Sequence, residues 1–491
     1  MSTGTGQPRR RRVRLIPVRS VPVEFTGERA GQGPLTLGQL CVYVWVSNSP
    51  DHIYALLCAE LPVPAAVSVD DVAEAAAVLI ARHESLRTSY VRGEPPRQLV
   101  AASGVQMLEV CSLGEGQWGP RDRPAVAEAL IRWLRDSPDP ARRPVRVAVA
   151  IAPDAGDRVI ACAAGFTHLA VDHGSIEILK RDFAGLLADP ARRQPGPPRP
   201  PVPPGPPGPP GHQPLDQAEL EATQAERRKA AAALDHVRER TWRIPHCLYA
   251  LPGARTSGEA LAVELSSQAA AMAVRRVAAR TRTSRSSIVL AAICAVIARR
   301  ASYPELVFPL LSSNRFERRL VNYVGSLAQG AIAAIEVGER SFDELAGHTW
   351  TAVLEASRHA RYDNVRRDAM DRQIEHERGL LFSYDPVFSN LVPESWSGLT
   401  ARVGFQPEEP GEIDAALTRT ELRWHPMPSG GTPIRFTLNQ VDGCLRLDAW
   451  SSDTGLMPRA ELESLLLAIE RLLTAAAHGD LAGATMAELI G

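Results

Sequence analysis

Thr167-His168-Leu169-Ala170-Val171-Asp172-His173-Gly174-Ser175 joins two stretches of different periodicity. Upstream, Arg158 to Phe166 is a short apolar run compatible with a strand. Downstream, Ile176, Leu179, Phe183 and Leu186 recur at spacings of three and four, as on a helix buried along one face. This places His168 where a strand ends and Asp172 just before a helix begins. A base at such a junction can face a cleft, and the N–H groups of the first helical turn, around Gly174 and Ser175, can stabilise negative charge beside it. A His and an Asp four residues apart are, taken alone, more often structural than catalytic. The wider pattern changes that reading.

Working outward, Arg146 to Ile151 reads as a second strand, joined to the first through the turn-forming Pro153-Asp154-Ala155-Gly156-Asp157. Val69 to Arg82 is helix-like, with Asp70 and Asp71 near its start and alanines through its middle. Residues 195–214 are dominated by Pro and Gly and read as a semi-stiff solvated linker, dividing the chain in two. Beyond it, Leu215 to Arg240 is charged and helix-favouring, and further helices are expected at Gln268 to Arg280 and Ser286 to Arg300. Leu306 to Leu311, Ala331 to Val337 and Pro433 to Leu438 are strand-like. Helices and strands mixed in both halves predict an α/β fold. The expected organisation is a flexible basic segment over 1–33, an N-terminal lobe over 34–194, the linker, and a C-terminal lobe over 215–491.

At 491 residues the chain is long enough for two cores. Its 45% hydrophobic content and net charge of −1 argue against general affinity for nucleic acid or membrane through charge. The basic cluster Arg9 to Arg14 is the local exception and reads as a solvated tail. It lacks the apolar run of a secretory signal, and no window of eighteen apolar residues suggests a membrane span, which points to a cytoplasmic protein. The seven cysteines are scattered without metal-site spacing and read as reduced thiols. Cys162 lies six residues before His168, roughly 20 Å away along an extended strand, too far for a Cys–His nucleophile. His168, Asp172 and His173 could form a metal site by residue type, but adjacent Asp and His side chains diverge and no cluster completes the set, so no metal is expected. Ser175 lacks a nucleophile-elbow setting and reads as a helix cap.

Several segments, in order, resemble the condensation domains of nonribosomal peptide synthetases, within the chloramphenicol acetyltransferase-like superfamily. Thr167 to Ser175 is similar to their HHxxxDG signature. Pro34-Leu35-Thr36-Leu37-Gly38-Gln39 looks like the opening motif, and Arg82-His83-Glu84-Ser85-Leu86-Arg87-Thr88 is close to the family's RHExLRT. Ser313-Asn314-Arg315-Phe316, Asn322-Tyr323-Val324-Gly325-Ser326-Leu327 and Leu445 to Trp450, with the helix-like Glu461 to Ala476 after it, are similar to second-half segments. Two positions depart from the signature: Thr167 stands where the first His is usual, and His173 where the Gly is usual, leaving Gly174 one position late.

The resemblance implies two chloramphenicol acetyltransferase-like lobes in a V with a tunnel between them. It implies His168 as catalytic base or amine-orienting group, and Asp172 as a structural residue paired with an arginine, for which Arg315 is the candidate. The implied activity is that of a free-standing condensation enzyme. It would transfer an acyl or peptidyl group from the phosphopantetheine of a carrier protein, docked in trans, to a small amine or hydroxyl acceptor, with no bound cofactor. Two alternatives stay open: a condensation-like module that has lost catalysis and recruits a partner enzyme to a carrier-bound peptide, for which Thr167 and His173 speak, and a coenzyme A-dependent acyltransferase.

Overall fold

A computed structural model describes residues 13–48, 56–115, 118–136, 143–153, 156–189, 211–245, 260–392, 409–426, 434–452, 455 and 457–490. The chain divides into two compact units: Met1–Arg227 together with Arg315–Leu327, and Arg228–Asn314 together with Ala328–Gly491.

The first unit contains, in chain order, β1 (Leu15–Thr26), β2 (Gly31–Pro34), α1 (Leu37–Asn48), β3 (Leu56–Leu61), α2 (Val69–Arg82), β4 (Thr88–Val91), β5 (Arg97–Val100), β6 (Ser103–Leu113), α3 (Arg123–Arg135), β7 (Val145–Ile151), β8 (Val159–Thr167), α4 (His173–Ala188) and α5 (Pro214–Glu221). Five strands form a sheet in the order β1-β6-β7-β8-β3, and β2-β5-β4 form a small second one. β7 and β8 pair antiparallel, as their sequence predicts; part of the connecting turn, residues 154 and 155, lies outside the described residues.

Alternation along β7 decides how the sheet is covered. Val147 and Val149 join a core with α2 and α4 on one face, while Ala148 and Ala150 join α3 on the other. With helices on both faces, every residue of β8 is buried, which is why this strand reads as an unbroken apolar run. α2 starts on a capping box in which Ser68 and Asp71 satisfy each other's backbone N–H groups.

Two boundaries differ from the sequence reading, and a third lies largely outside the described residues. Residues 1–33 were expected to be flexible, but from Leu15 onward they hold β1 and β2, with residues 1–12, including most of the basic cluster, outside the described part. Pro17 and Pro22 disguise β1. They are tolerated because β1 is the edge of its sheet, where a missing N–H leaves no ladder bond unmade, and the register shifts between Pro17 and Arg19. The expected linker, 195–214, lies outside the described residues as far as 210. The run Leu215 to Arg240 is broken at Ala222 and Thr223 into α5, part of the first unit, and α6 (Gln224–Thr241), most of which lies in the second. Arg29, reaching both Glu84 and Asp216 in ion pairs of 2.7 and 2.6 Å, ties α5 to the first unit.

The second unit continues with β9 (Leu261–Ser267), α7 (Gln268–Thr281), α8 (Arg285–Ala301), β10 (Glu305–Ser312), β11 (Gln329–Glu336), α9 (Phe342–Arg358), α10 (Asn364–Arg378), β12 (Val387–Asn390), α11 (Pro410–Ala416), β13 (Glu421–Pro426), β14 (Ile434–Gln440), β15 (Leu445–Ser451), α12 (Arg459–His478) and α13 (Gly483–Ile490). Its strands form one mixed sheet in the order β11-β10-β12-β14-β15-β9-β13. α8 is buried from Ser286 to Ala298, all round its circumference, consistent with its apolar sequence. No single helix among the described residues is long and apolar enough to cross a membrane.

Candidate functional site

The site is assembled in the first unit where β8 ends. The carbonyl of Thr167 accepts from the N–H groups of Ala170 (2.9 Å) and Val171 (3.2 Å), folding residues 167–171 into a tight turn that carries His168. Thr167 itself is buried at the strand end. Asp172 then caps α4: its Oδ1 accepts from the backbone N–H of Ser175 at 2.8 Å and from the Ser175 hydroxyl at 2.9 Å. The sequence predicts Ser175 as the cap, with its N–H open to a developing oxyanion. Instead Asp172 is the cap, Ser175 occupies the third helical position, and its N–H is taken up by the carboxylate.

The Asp172 carboxylate, 1% exposed, is also gripped from Arg315. Nη1 donates to Oδ2 at 2.6 Å and Nη2 to Oδ1 at 2.7 Å, a two-point charged pair, while the Leu327 N–H donates to Oδ2 at 3.0 Å. Burial by itself would raise the Asp172 pKa; the adjacent guanidinium and the N–H groups of Ser175 and Leu327 outweigh it and hold the carboxyl below its ordinary value. Nη2 of Arg315 further reaches the carbonyls of Tyr323 (3.2 Å) and Gly325 (3.4 Å), and the Gly325 N–H donates to the Ser175 hydroxyl at 3.1 Å. Gly174 gives this cation its room: a Cβ there would lie 3.0 Å from the Arg315 guanidinium. The glycine one position late in the signature is therefore the one against which Arg315 packs, while His173, at the first helical position, is exposed. Asp172 is thus occupied with Arg315 and the start of α4 and is not aimed at His168 as a triad partner.

The opening segment closes the frame. Thr36 and Gln39 exchange hydrogen bonds at the start of α1, Thr36 N–H to Gln39 Oε1 at 2.9 Å and Gln39 N–H to Thr36 Oγ1 at 3.2 Å. Gly38 lies against the backbone of Ser326 and Leu327 so closely that a Cβ would overlap the Ser326 carbonyl. Gly38→Ala should therefore displace the 323–327 loop and cost about 1–3 kcal/mol, visible as a lower urea midpoint. The RHExLRT segment supports the same unit from behind: buried His83 sits 3.3 Å from Asp182 of α4, and Arg87 donates to the carbonyls of Arg29 and Ala101 at 2.6 and 2.5 Å.

His168 is partly exposed as a residue, but its Nδ1 is shut off from solvent and makes no hydrogen bond of normal geometry. Burial lowers its pKa, with the nearby backbone of His168 and Val171 and the Asp172 carboxylate pulling the other way. The imidazole is therefore neutral near pH 7 and able to accept a proton. Trp45 of α1 stands edge-to-face against it, ring centroids 5.9 Å apart and planes at 75°. Nothing in the sequence singles out Trp45, because a contact across more than a hundred residues leaves no local signature. Gly38, a glycine interrupting an apolar helical run, was the visible sign of a close approach. Cys162, whose thiol burial pushes far up, belongs to the core under β8. Among the described residues no group of three or more His, Cys, Asp or Glu side chains is placed to hold a metal.

No family model matches the chain, and no curated protein matches it by sequence. Solved structures do match in fold. One is the condensation domain that mediates chain release from the enacyloxin polyketide synthase (19% identity, 92% of this chain and 83% of that one, TM-score 0.67). Another is SgcC5 from Streptomyces globisporus, solved with a naphthyl ethanediol (20% identity, 91% and 98%, TM-score 0.61). A third is the X-domain from teicoplanin biosynthesis (17% identity, 92% and 97%, TM-score 0.63), which has also been solved in complex with OxyB.

Proposed function

From the condensation-domain fold we infer that this chain is a condensation enzyme, forming an amide or ester between an acyl or peptidyl group on a carrier-protein phosphopantetheine and a small acceptor. The observation that carries the reading is the placement of His168, with Nδ1 buried, on a turn whose far end is fixed by Asp172 and Arg315; burial favours its neutral form, and Nε2 is the nitrogen assigned to the substrate. As the acceptor nitrogen attacks the thioester carbonyl, Nε2 takes its proton. The C–N bond forms, the C–S bond breaks, and the thiolate leaves to be protonated. Most of the acceleration then comes from alignment of two bound reactants, since a thioester is already reactive. With a hydroxyl acceptor the same proton transfer gives an ester.

The second reading, a module that recruits a partner enzyme, draws on Thr167 and His173 at the altered signature positions and on the fold shared with the X-domain, solved with OxyB. One experiment separates the two. The protein is incubated with carrier protein loaded with acyl-phosphopantetheine and a panel of amines and alcohols, and product and free carrier thiol are followed by mass spectrometry. Product appearing in step with free thiol supports the enzyme; saturable binding of the loaded carrier without product supports the recruiting module. Turnover with acyl-coenzyme A in place of the carrier would move the donor to coenzyme A. In the same assay His173→Gly, which removes an exposed ring at the start of α4, should raise kcat/KM for bulky acceptors by about ten-fold. An unchanged acceptor profile would mean that the ring at position 173 does not limit the acceptor.

A further inference from the structure

We propose that Trp45 is the positioning residue of His168: its ring, set edge-to-face against the imidazole, holds the plane of His168 and keeps water off one side of it. This rests on His168 as the base of the proposed reaction and adds the residue that orients it.

A histidine that must present Nε2 is usually held by a hydrogen bond from Nδ1 to a carboxylate or carbonyl. Here Nδ1 is buried and the imidazole meets the backbone of His168 and Val171 without an Nδ1 hydrogen bond of normal geometry, and the carboxylate nearest in sequence, Asp172, is taken up by Arg315 and the first turn of α4. What the structure places against the ring is the Trp45 indole. An edge-to-face pair favours one mutual orientation, because the positive edge of one ring meets the negative face of the other.

Trp45 is itself well placed to act as a fixed reference. It lies eight residues along α1 from Leu37, about 12 Å at 1.5 Å per residue. The start of that helix is locked by the Thr36–Gln39 pair, by the Leu37 N–H donating to Glu221 at 2.7 Å, and by Gly38 against Ser326. The loop Gly38 abuts is the one whose Leu327 N–H binds Asp172. Indole and imidazole therefore hang from opposite ends of one frame, hydrogen-bonded at each end and joined by the packing of Gly38 on Ser326 and Leu327. Trp45 remains 38% exposed, so it is not simply filling the core. The charged group that acts on the ring is the Asp172 carboxylate, which favours the protonated imidazole and is fixed by Arg315 whether or not the indole is present, so loss of the indole acts on the imidazole chiefly through hydration.

The test reads His168 directly. In the full chain labelled at histidine Cε1, and with the His168 signal assigned from His168→Gln, the imidazole is titrated by NMR in wild type, W45A and W45F. Wild type should titrate below the ordinary imidazole value, W45A should move up towards it, and W45F, which keeps an aromatic ring, should stay near wild type. An unmoved titration in W45A, or W45F moving as far as W45A, overturns the proposal. In turnover, W45A should lower kcat about ten-fold with KM for the loaded carrier unchanged, and shift the acid limb of the pH profile upward. An unshifted limb in an active W45A would also overturn it. Absence of wild-type turnover would remove the proposed reaction while the titration still decides what Trp45 does to His168.

Discussion

Arg315→Ala should destabilise the protein by about 3–5 kcal/mol, the usual consequence of stripping one partner from a buried ion pair. Asp172 would keep its cap to Ser175 and the Leu327 N–H but lose both guanidinium bonds at a position 1% exposed. The tether on the Tyr323 and Gly325 carbonyls goes with them. Arg315→Lys keeps the charge without the two-point geometry and should fall between wild type and alanine. The pH dependence gives a second handle. In wild type the Asp172 carboxyl is held below its ordinary value, so its contribution is complete above the unfolded pKa of about 3.9. It is lost as pH falls through the lower folded value. In Arg315→Ala burial is no longer outweighed, the carboxyl moves up, and the variant should regain stability relative to wild type as pH falls from about 6 to 4, a range in which the wild-type contribution is still complete. Urea denaturation at a series of pH values checks both; a variant within about 0.5 kcal/mol of wild type at pH 7 would mean that the pair contributes little net.

His168→Ala should reduce turnover by about 10²–10⁴-fold, the range for loss of a positioned general base. It should leave the urea midpoint nearly unchanged, because the residue is partly exposed and makes no Nδ1 hydrogen bond of normal geometry. The wild-type profile follows from the direction of the pKa shift. A folded pKa lowered by burial keeps the imidazole neutral through pH 7, so kcat/KM should be flat around neutrality and fall only below about pH 6.5. The same shift implies that stability declines as pH drops below the unfolded imidazole value towards the folded one, since the unfolded chain binds the proton first. Buried His83 beside Asp182, also lowered by burial, adds to that decline. Turnover by His168→Ala within about three-fold of wild type would leave alignment as the whole of the catalysis.

The sequence was legible where structure is local. β7, β8 and α8 follow from apolar runs of strand or helix length, α4 from three-and-four spacing and α2 from its acidic start and alanines, and Asp172 falls at a helix start because the spacing changes there. Arg315 could be named only through a family pattern, since nothing in Ser-Asn-Arg-Phe says which carboxylate it meets. β1 was hidden by prolines that an edge strand tolerates, and α5 by helix-favouring composition that says nothing about the unit to which a helix belongs. Trp45 is illegible in a deeper sense, because its contact is defined by a partner far away in the chain, and Gly38 signals a close approach without saying what it meets.

Arg315–Leu327 completes a unit whose two sheets are encoded before Arg227. During synthesis, all the strands of that unit leave the ribosome well ahead of the cation that neutralises Asp172. The nascent first unit must therefore wait, with an uncompensated acid at the head of α4, until residue 327 has been made. A fragment cut at the apparent midpoint of the chain would be left permanently in that unfinished state.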